Sequence, residues 1–497
     1  MKPLSQISAL ALTVALAAPV AAQDIETTNA TDTIIVTASR TEQKVWTTGE
    51  AVSVIDREEI EDSQAVSANE LLERVPGVVV SRSGGLGQPS SAFVRGADNA
   101  QSLILVDGVR INDPADVGGG FDFGSMLAGS FDRVEIVRGS KSVIWGSQAI
   151  GGVVNFLTPE PGSEWTGRAS AEYGARDRVE LTGAAGGSVG PVGLSVGADW
   201  LDTDGYSAFS EKRGGREKDG FEGVSAFAKA EINLTDALSL NAGGFYSDND
   251  YEFDANGADA PNYGGKRDLT GFAFAEYASD FVDGRLGYTI TDTRRLSEQG
   301  FGPFVTDGRR EFIEAVATFR PVEGIGLTVG AESEESVYED NFGTDAESGI
   351  DSLFAQLSYV LDDTLALNAG VRYDDDEDYG DEVSLSASAA YRFADGLTLR
   401  ASYGEGYRAP SLYQRYYNLN FVFPGPGPVL EAETAKSYDI GLSLPFADYG
   451  TLEVTGFRRT VDNQLSFDNA GFFYYNADTK AQGVELAYLY DSADWNV

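Results

Sequence analysis

The sequence predicts a transmembrane antiparallel β-barrel whose lumen holds an N-terminal α/β domain. Three observations lead there. The first third of the chain mixes helix and strand signals, whereas from Gly167 onward helical periodicity gives way to apolar–polar alternation that runs to the end. Aromatic residues recur near the ends of the alternating runs. After the N-terminal leader, no stretch reaches the roughly 18 uninterrupted apolar residues of a spanning helix, so entry into a membrane requires a closed barrel.

Residues 1–22 read as a secretory signal peptide. Lys2 supplies the positive start, "ISALALTVALAAPV" the apolar run, and Val20 and Ala22 the small residues before a cleavage site, so the mature chain begins at Gln23. A polar lead-in, residues 23–44, follows. Inside it lies "DTIIVTASR", residues 32–40, a strand-like run in an otherwise unpatterned stretch.

Composition narrows the function. The chain carries 78 acidic and 36 basic residues, a net charge of −42, which makes nucleic acid a poor partner. It has no cysteine and no histidine, so disulfides, thiolate metal sites, the serine–histidine pair and the usual zinc ligands are all absent. That argues against an enzyme of ordinary type. High acidity alone often marks disorder, but 58 Gly, 23 Tyr and 27 Phe suit many strands with aromatic ends and tight turns.

Residues 45–160 form the α/β unit. A strand over Val52–Ile55 leads into a short helix from about Arg57. Ser67 and Glu70 sit at capping-box spacing before a second helix through Leu71 and Leu72, which Pro76-Gly77 stops. Strands follow at "GVVVS", "SAFVRG", "SLILVDGVRI", "RVEIVRGS" and "GGVVNFLT", separated by Gly-rich links.

Residues 165–497 form the barrel. In "PVGLSVGADW" one face carries Val192, Leu194, Val196, Ala198 and Trp200, the other Gly193, Ser195, Gly197 and Asp199. "TLALNAGVRYD" sets Leu365, Leu367, Ala369, Val371 and Tyr373 against Ala366, Asn368, Gly370, Arg372 and Asp374. A soluble sandwich also alternates. The aromatics near strand ends (among them Tyr173, Trp200, Tyr277, Tyr288, Tyr373, Tyr403 and Tyr488) and the Gly, Ser and charge on the second face favour an apolar exterior around a wet lumen. About sixteen strands are legible. Connections are short at "LTDAL" and "RFADGL" and predicted long and acidic over 202–220, 248–267 and 374–384. A barrel this wide needs a plug, and residues 45–160 are the natural one.

The segments "DTIIVTASR", "LLERVPGVVV", "GGLGQPSSAFVRG", "LILVDGVRIN", "VEIVRGSKSVIWGSQAIGGVVNFLT" and "SYGEGYRAPSLYQ" together resemble the TonB-dependent outer-membrane receptors, and among these the cobalamin (vitamin B12) receptors. The resemblance implies the outer membrane of a Gram-negative bacterium and active uptake of a scarce large nutrient, cobalamin or another corrinoid. A ferric siderophore or another metal chelate remains the alternative, and a surface docking receptor without transport a third reading. The family's 22 strands exceed the sixteen found, which the resemblance reads as a chain lacking C-terminal strands, with a genuinely smaller barrel as the alternative.

Residue roles follow from the same resemblance. Asp32, Thr33, Ile34, Ile35, Val36, Thr37 and Ala38 match the TonB box, which implies TonB, with ExbB and ExbD, as partner. An exposed extended segment can add a strand to a partner's sheet; the plain alternative is the first strand of the plug. Arg95 and Arg138 match plug arginines that pair with wall carboxylates, here Glu405 and Asp439. Pro89, Ser91, Asp98, Asp116 and Val117 match ligand-contacting positions, although the second loop departs from the family pattern at Asp116 and Val117. Glu217, Asp219, Asp254 and Asp259 fall on or near calcium-binding positions, with Ser207 where the family has an aspartate. Hard oxygen ligands on loops suit Ca²⁺, and solvated acidic loops are the plain alternative. No catalytic cofactor is implied.

Overall fold

The computed structural model describes residues 33–215, 217–255, 258–300, 302–422, 425–446, 450–492 and 495–496. The signal peptide and Asp32 lie outside them.

The N-terminal domain starts with a two-residue pairing of β1 (Ile34–Ile35) and β2 (Gln43–Lys44). Next come β3 (Ala51–Ile55), α1 (Arg57–Ser63), α2 (Ala68–Leu72), β4 (Val78–Arg82), β5 (Ser90–Val94), β6 (Ser102–Val106), β7 (Val109–Arg110), β8 (Arg133–Arg138), α3 (Ser142–Trp145) and β9 (Gly152–Leu157). Five of these strands form one sheet in the order β3-β8-β9-β6-β7, with β6 and β9 parallel; β4 and β5 form a separate hairpin. Leu71, Leu72, Ile104, Phe123, Ile136, Val154 and Phe156 close a core on one face of that sheet.

Local chemistry sets the boundaries. Asp56 caps α1 by accepting from the Glu59 amide at 2.9 Å, and Glu58 and Glu59 place negative charge in the first turn. At α2 the capping box is incomplete. Glu70 reaches back to the Val66 amide at 2.9 Å, one residue beyond the expected partner, and the Ser67 hydroxyl donates to Asn69 Oδ1 instead of capping. The run "SLILVDGVRI", read above as one strand, is a hairpin. Asp107 and Gly108 take φ of 49° and 76°, the twin left-handed pair of a type I′ turn, and fold β7 back on β6.

Sixteen antiparallel strands make the barrel: β10 (Thr166–Tyr173), β11 (Val179–Val189), β12 (Val192–Thr203), β13 (Phe221–Asn233), β14 (Leu238–Ala255), β15 (Ala258–Ala278), β16 (Val282–Glu298), β17 (Pro303–Val322), β18 (Ile325–Asp340), β19 (Asp345–Leu361), β20 (Leu365–Asp376), β21 (Gly380–Arg392), β22 (Thr398–Arg408), β23 (Glu433–Pro445), β24 (Thr451–Asp468) and β25 (Phe473–Leu489). Each pairs with its sequence neighbour, so the sheet runs in chain order from β10 to β25. A helix, α4 (Leu412–Asn420), interrupts the β22–β23 connection.

Burial is inverted relative to a soluble sheet. Leu194, Val196, Leu286, Ile313, Leu353, Leu357, Leu367, Val371, Ile440 and Leu486 are exposed, whereas Ser195, Asp199, Thr270, Glu332, Arg372 and Arg400 are buried. The polar face therefore points at the plug and the greasy face outward, as the alternation predicted.

Two predicted loops are corrected. Residues 248–267 are mostly strand, the protruding ends of β14 and β15, and 374–384 shrink to a three-residue turn, 377–379, between β20 and β21. Both faces are polar there because both are wet, so the alternation that announces a strand vanishes. Of the three predicted loops, only 202–220 is a long connection, running from 204 to 220 between β12 and β13. It opens at the same end of the barrel as α4, opposite the short turns at 190–191, 234–237 and 362–364. Lys44 Nζ lies 3.6 Å from Asp363 in the 362–364 turn, which puts the chain's entry at the short-turn end.

Candidate functional site

The entry segment is docked, not exposed. Ile34 is 51% exposed, but Ile35, Thr37 and Ala38 are buried. One oxygen of Glu135, a fully buried carboxylate on β8, accepts from the Val36 amide at 3.1 Å, the Thr37 amide at 3.0 Å and the Thr37 hydroxyl at 2.6 Å. Asn155 Nδ2 donates to the Thr37 hydroxyl at 3.1 Å, and Trp145 Nε1 donates to the Thr37 carbonyl at 2.6 Å. The expectation of a free strand fails because the plug supplies these partners. Glu135, in "RVEIVRG", was legible only as a charge in an apolar strand. Just beyond, Arg40 bonds Glu314 on β17 at 2.7 Å and also Glu332 on β18, with its guanidinium 4.5 Å from the Trp145 ring.

A second ionic cluster ties the plug to the far wall. Arg95 meets Glu485 on β25 in two parallel bonds of 2.7 and 2.8 Å and also bonds Asp439 on β23. Arg138 lies 3.5 Å from the same Glu485 and donates to Ser53 Oγ at 3.0 Å. Three of the four proposed latch residues thus meet, and Glu405 does not. Its carboxylate accepts from the Leu385 amide at 3.0 Å and the Tyr403 hydroxyl at 2.5 Å. The cause is the two-residue period of β22: Gly404 and Gly406 face the plug, so Glu405 points away. On β25 the same rule turns Glu485 inward between the exposed Val484 and Leu486, the signal that would have found it.

The mouth is built from two plug loops. Pro89 and Val117 are exposed; Ser91, Asp98 and Asp116 are half-buried. Asn99 joins the loops, accepting from the Ala92 amide at 3.4 Å and donating to the Phe121 carbonyl at 2.9 Å. Both aspartates serve their own loops. Asp98 accepts from the Ala100 amide at 3.0 Å, and Asp116 from Gly118 and Gly120 at 3.0 and 3.1 Å. From above, Ser411 donates to the Val117 carbonyl at 2.7 Å, and α4 presents Tyr413, Tyr417 and Phe421 as a ladder with centroids 5.7 and 5.8 Å apart. The nearby cations are paired: Arg295 with Asp113 and Asp116, Arg310 with Glu334, Arg408 with Glu433, Arg415 with Asp378.

The acidic loops converge too. Carboxylate oxygens of Glu217, Asp254 and Asp259 lie within 4.8 Å of one another. Asp219 stands beside them, its second oxygen held by the Ala208 amide at 2.7 Å. Partial desolvation, a hydrogen bond with Asp254 and the charges of Asp259, Asp254 and Asp219 hold the Glu217 carboxyl above the usual range. Glu217 Oε1 and Asp219 Oδ1 are enclosed and accept no hydrogen bond. Ser207 donates to Asp254 at 3.0 Å, so it orients a carboxylate rather than supplying one. This donor set fits a hard divalent cation.

Comparison with known proteins agrees with this architecture. The family model "TonB-dependent Receptor Plug Domain" matches residues 44–153, and "TonB dependent receptor-like, beta-barrel" matches 262–497. The chain is 30% identical over 477 residues to the vitamin B12 transporter BtuB of Photobacterium profundum, covering 92% of this chain and 75% of that one. It is 29% identical over 504 residues to BtuB of Vibrio cholerae, covering 97% and 79%. Among solved structures, the ferric enterobactin receptor PfeA of Pseudomonas aeruginosa superposes with a TM-score of 0.76 at 20% identity, covering 89% of this chain and 79% of that one. The siderophore receptor PirA of Acinetobacter baumannii gives 0.73 at 18% identity, covering 89% and 78%.

Proposed function

The chain belongs to the TonB-dependent receptors of the Gram-negative outer membrane, and from that premise we propose that it takes up cobalamin or another corrinoid. Uptake by this family is driven from the inner membrane through TonB, and we assign that contact here to residues 32–38, with ExbB and ExbD behind TonB. Two things support the corrinoid reading over its siderophore rival. The relatives near 30% identity over almost the whole chain are vitamin B12 transporters. The observation that carries it is the mouth itself, where Arg295, Arg310, Arg408 and Arg415 are each neutralised by a carboxylate. A highly anionic chelate needs free cations there; a bulky ligand of low net charge does not. The aromatic ladder of α4 and the loops at Pro89, Ser91, Asp98, Asp116 and Val117 offer it apolar surface and backbone polar groups.

The siderophore reading draws on the solved structures, but likeness below 25% identity speaks to fold alone. A docking receptor without transport needs no entry segment held by so many bonds. Glu217, Asp254 and Asp259, with Asp219 beside them, are proposed to hold Ca²⁺ and so order the outer loops around the ligand. The test is equilibrium binding by the purified receptor of cyanocobalamin against ferric enterobactin, with and without calcium. Tight binding of the siderophore and none of the vitamin would overturn the proposal.

A further inference from the structure

The plug does not fit its barrel equally well all round. Against β19–β22 it is in close contact. There α3 packs on all four strands, and the turn Val45–Thr47 packs on β20 and β21. Three wall glycines make the approach possible. A Cβ at Gly370 would lie 2.8 Å from Val143, one at Gly404 2.8 Å from the Ser140 carbonyl, and one at Gly406 2.9 Å from Ile150. The cavities left on this side include one of about 20 Å³ beside Ser388 and, nearer the mouth, one of about 110 Å³ between Gly118 and Gln148 of the plug and Gly349, Asp376 and Arg408 of the wall.

Against β13–β17 the fit is open near the short-turn end, while nearer the mouth Leu86 and Leu127 of the plug pack with Phe221 and Tyr251, and Gly308 of β17 lies against Ala115. Near the short-turn end a cavity of about 580 Å³ separates Arg40 and Trp145 from Leu238, Glu276, Arg285 and Glu314. Farther up β14, roughly 20 Å along the strand, a second cavity of about 80 Å³ lies between Phe121 and Val106 of the plug and Phe227, Phe245, Thr270 and Thr291 of the wall. Charged side chains bridge the gap: Lys229 of β13 reaches Asp107 at 3.1 Å and Glu160 at 3.0 Å, and Arg40 reaches Glu314. Such contacts can be exchanged for water one at a time, whereas close-packed surfaces part only by leaving voids.

We propose that the nutrient crosses between the plug and the β13–β17 wall, with the β19–β22 contact left closed as the hinge side. This rests on the uptake reading but names a route that reading leaves open. Both cavities are small beside a large nutrient, so the plug must yield, and it yields where its contacts are polar and its packing is already broken. Arg40 belongs both to the docked entry segment and to the lower cavity, so moving that segment unlines the cavity at its exit.

The chain has no native cysteine, which makes single-cysteine labelling clean. Ser225→Cys and Ser239→Cys report the two cavities, and Ser388→Cys the packed side. In the purified full chain in detergent, thiol labelling under increasing urea below global unfolding is expected to begin at 225 and 239 well before 388. Simultaneous labelling, or 388 first, overturns the route. A second arm cross-links the hinge side with Ser140→Cys/Gly404→Cys, whose Cβ atoms would lie 3.1 Å apart, close to the range a disulfide uses. Uptake of cyanocobalamin by cells carrying the oxidised pair supports the route, and uptake that returns only on reduction overturns it. If the unmodified receptor takes up no cyanocobalamin, the corrinoid reading falls, and the labelling order alone still judges the route.

Discussion

Thr37→Val is the sharpest probe of how the entry segment is held. Valine keeps the shape of threonine but removes the hydroxyl that donates to Glu135 at 2.6 Å and accepts from Asn155 at 3.1 Å. The first bond is to a buried carboxylate, worth about 1.5–3 kcal/mol, and an Asn155 amide left without its acceptor adds a penalty of about 1 kcal/mol or more. The docked form should therefore lose about 2–4 kcal/mol, roughly a 30- to several-hundred-fold shift toward release. The two backbone amides on Glu135, the Trp145 bond and the Arg40 pairs stay. A nitroxide on Ile34→Cys, whose side chain is half exposed, reads the outcome as the fraction of mobile spectrum in the purified receptor without TonB. Glu135→Gln, which keeps an acceptor but loses the charge, should give a smaller rise in the same direction. An immobile spectrum for Thr37→Val, alongside a mobile one for Arg40→Ala, would refute the assignment of holding strength to the Thr37–Glu135 network.

Other outcomes follow from the same contacts. Glu485→Gln removes the charge that Arg95 grips with two bonds and should increase protease access to the plug, whereas Glu405→Gln, which touches no plug cation, should not; equal effects would return Glu405 to the latch. Calcium should protect the 204–220 loop from proteolysis, and Asp254→Asn should abolish that protection; a loop equally sensitive with calcium, chelator or neither would dismiss the metal. Because the Glu217 carboxyl titrates above the ordinary range, protons compete with the ion early, so the calcium needed for protection should rise as pH falls from neutral. Val117→Asp, which adds an unpaired negative charge to an exposed apex, should weaken cyanocobalamin binding several-fold while leaving the melting temperature unchanged. An unaltered affinity would remove Val117 from the contact surface.

Most of the barrel was legible because each strand repeats one physical rule, apolar toward lipid and polar toward the lumen, for as long as one face meets lipid. Where β14, β15 and β20 rise beyond that level the rule lapses, and 248–267 and 374–384 read as loops. In the plug, the helix start near Arg57 and the stop at Pro76-Gly77 were visible, whereas the capping box read at Ser67 and Glu70 forms only in part. The fold-back is signalled by Asp107-Gly108 itself, but the mostly apolar runs on either side read on as one buried strand. Of the site residues, the plug arginines could be read from "FVRG" and "IVRG". Their partner Glu485 left only its inward parity between Val484 and Leu486, because a pairing across 390 residues leaves no other local trace. Glu405 drew the eye by its motif, but the parity of β22 turns it away from the plug. The docking of residues 33–38 depends on Glu135, Trp145 and Asn155, three residues scattered over more than twenty positions, and no spacing rule links them.

The two faces of the plug sheet explain how one domain can be both stopper and moving part. One face carries the main core, in which Ile55, Ile104, Val134, Ile136, Val154 and Phe156 meet α1, α2 and the aromatic loop at Phe121 and Phe123. The other face is covered in pieces. Ile35 and Ala38 of the entry segment lie on Val52 and Val137, while Ile144, Trp145 and Ala149 lie on Leu103, Leu105 and Val153. Pulling residues 33–40 away strips the first of these patches and takes with it the Thr37 partner of Trp145. The main core touches none of the residues removed. Apolar burial scales with the area lost, so the cost falls on the small patch and the Glu135 bonds rather than on the domain as a whole. A force applied through the entry segment therefore loosens the face that borders Arg40 and the lower cavity first, and the folded remainder of the plug stays against β19–β22.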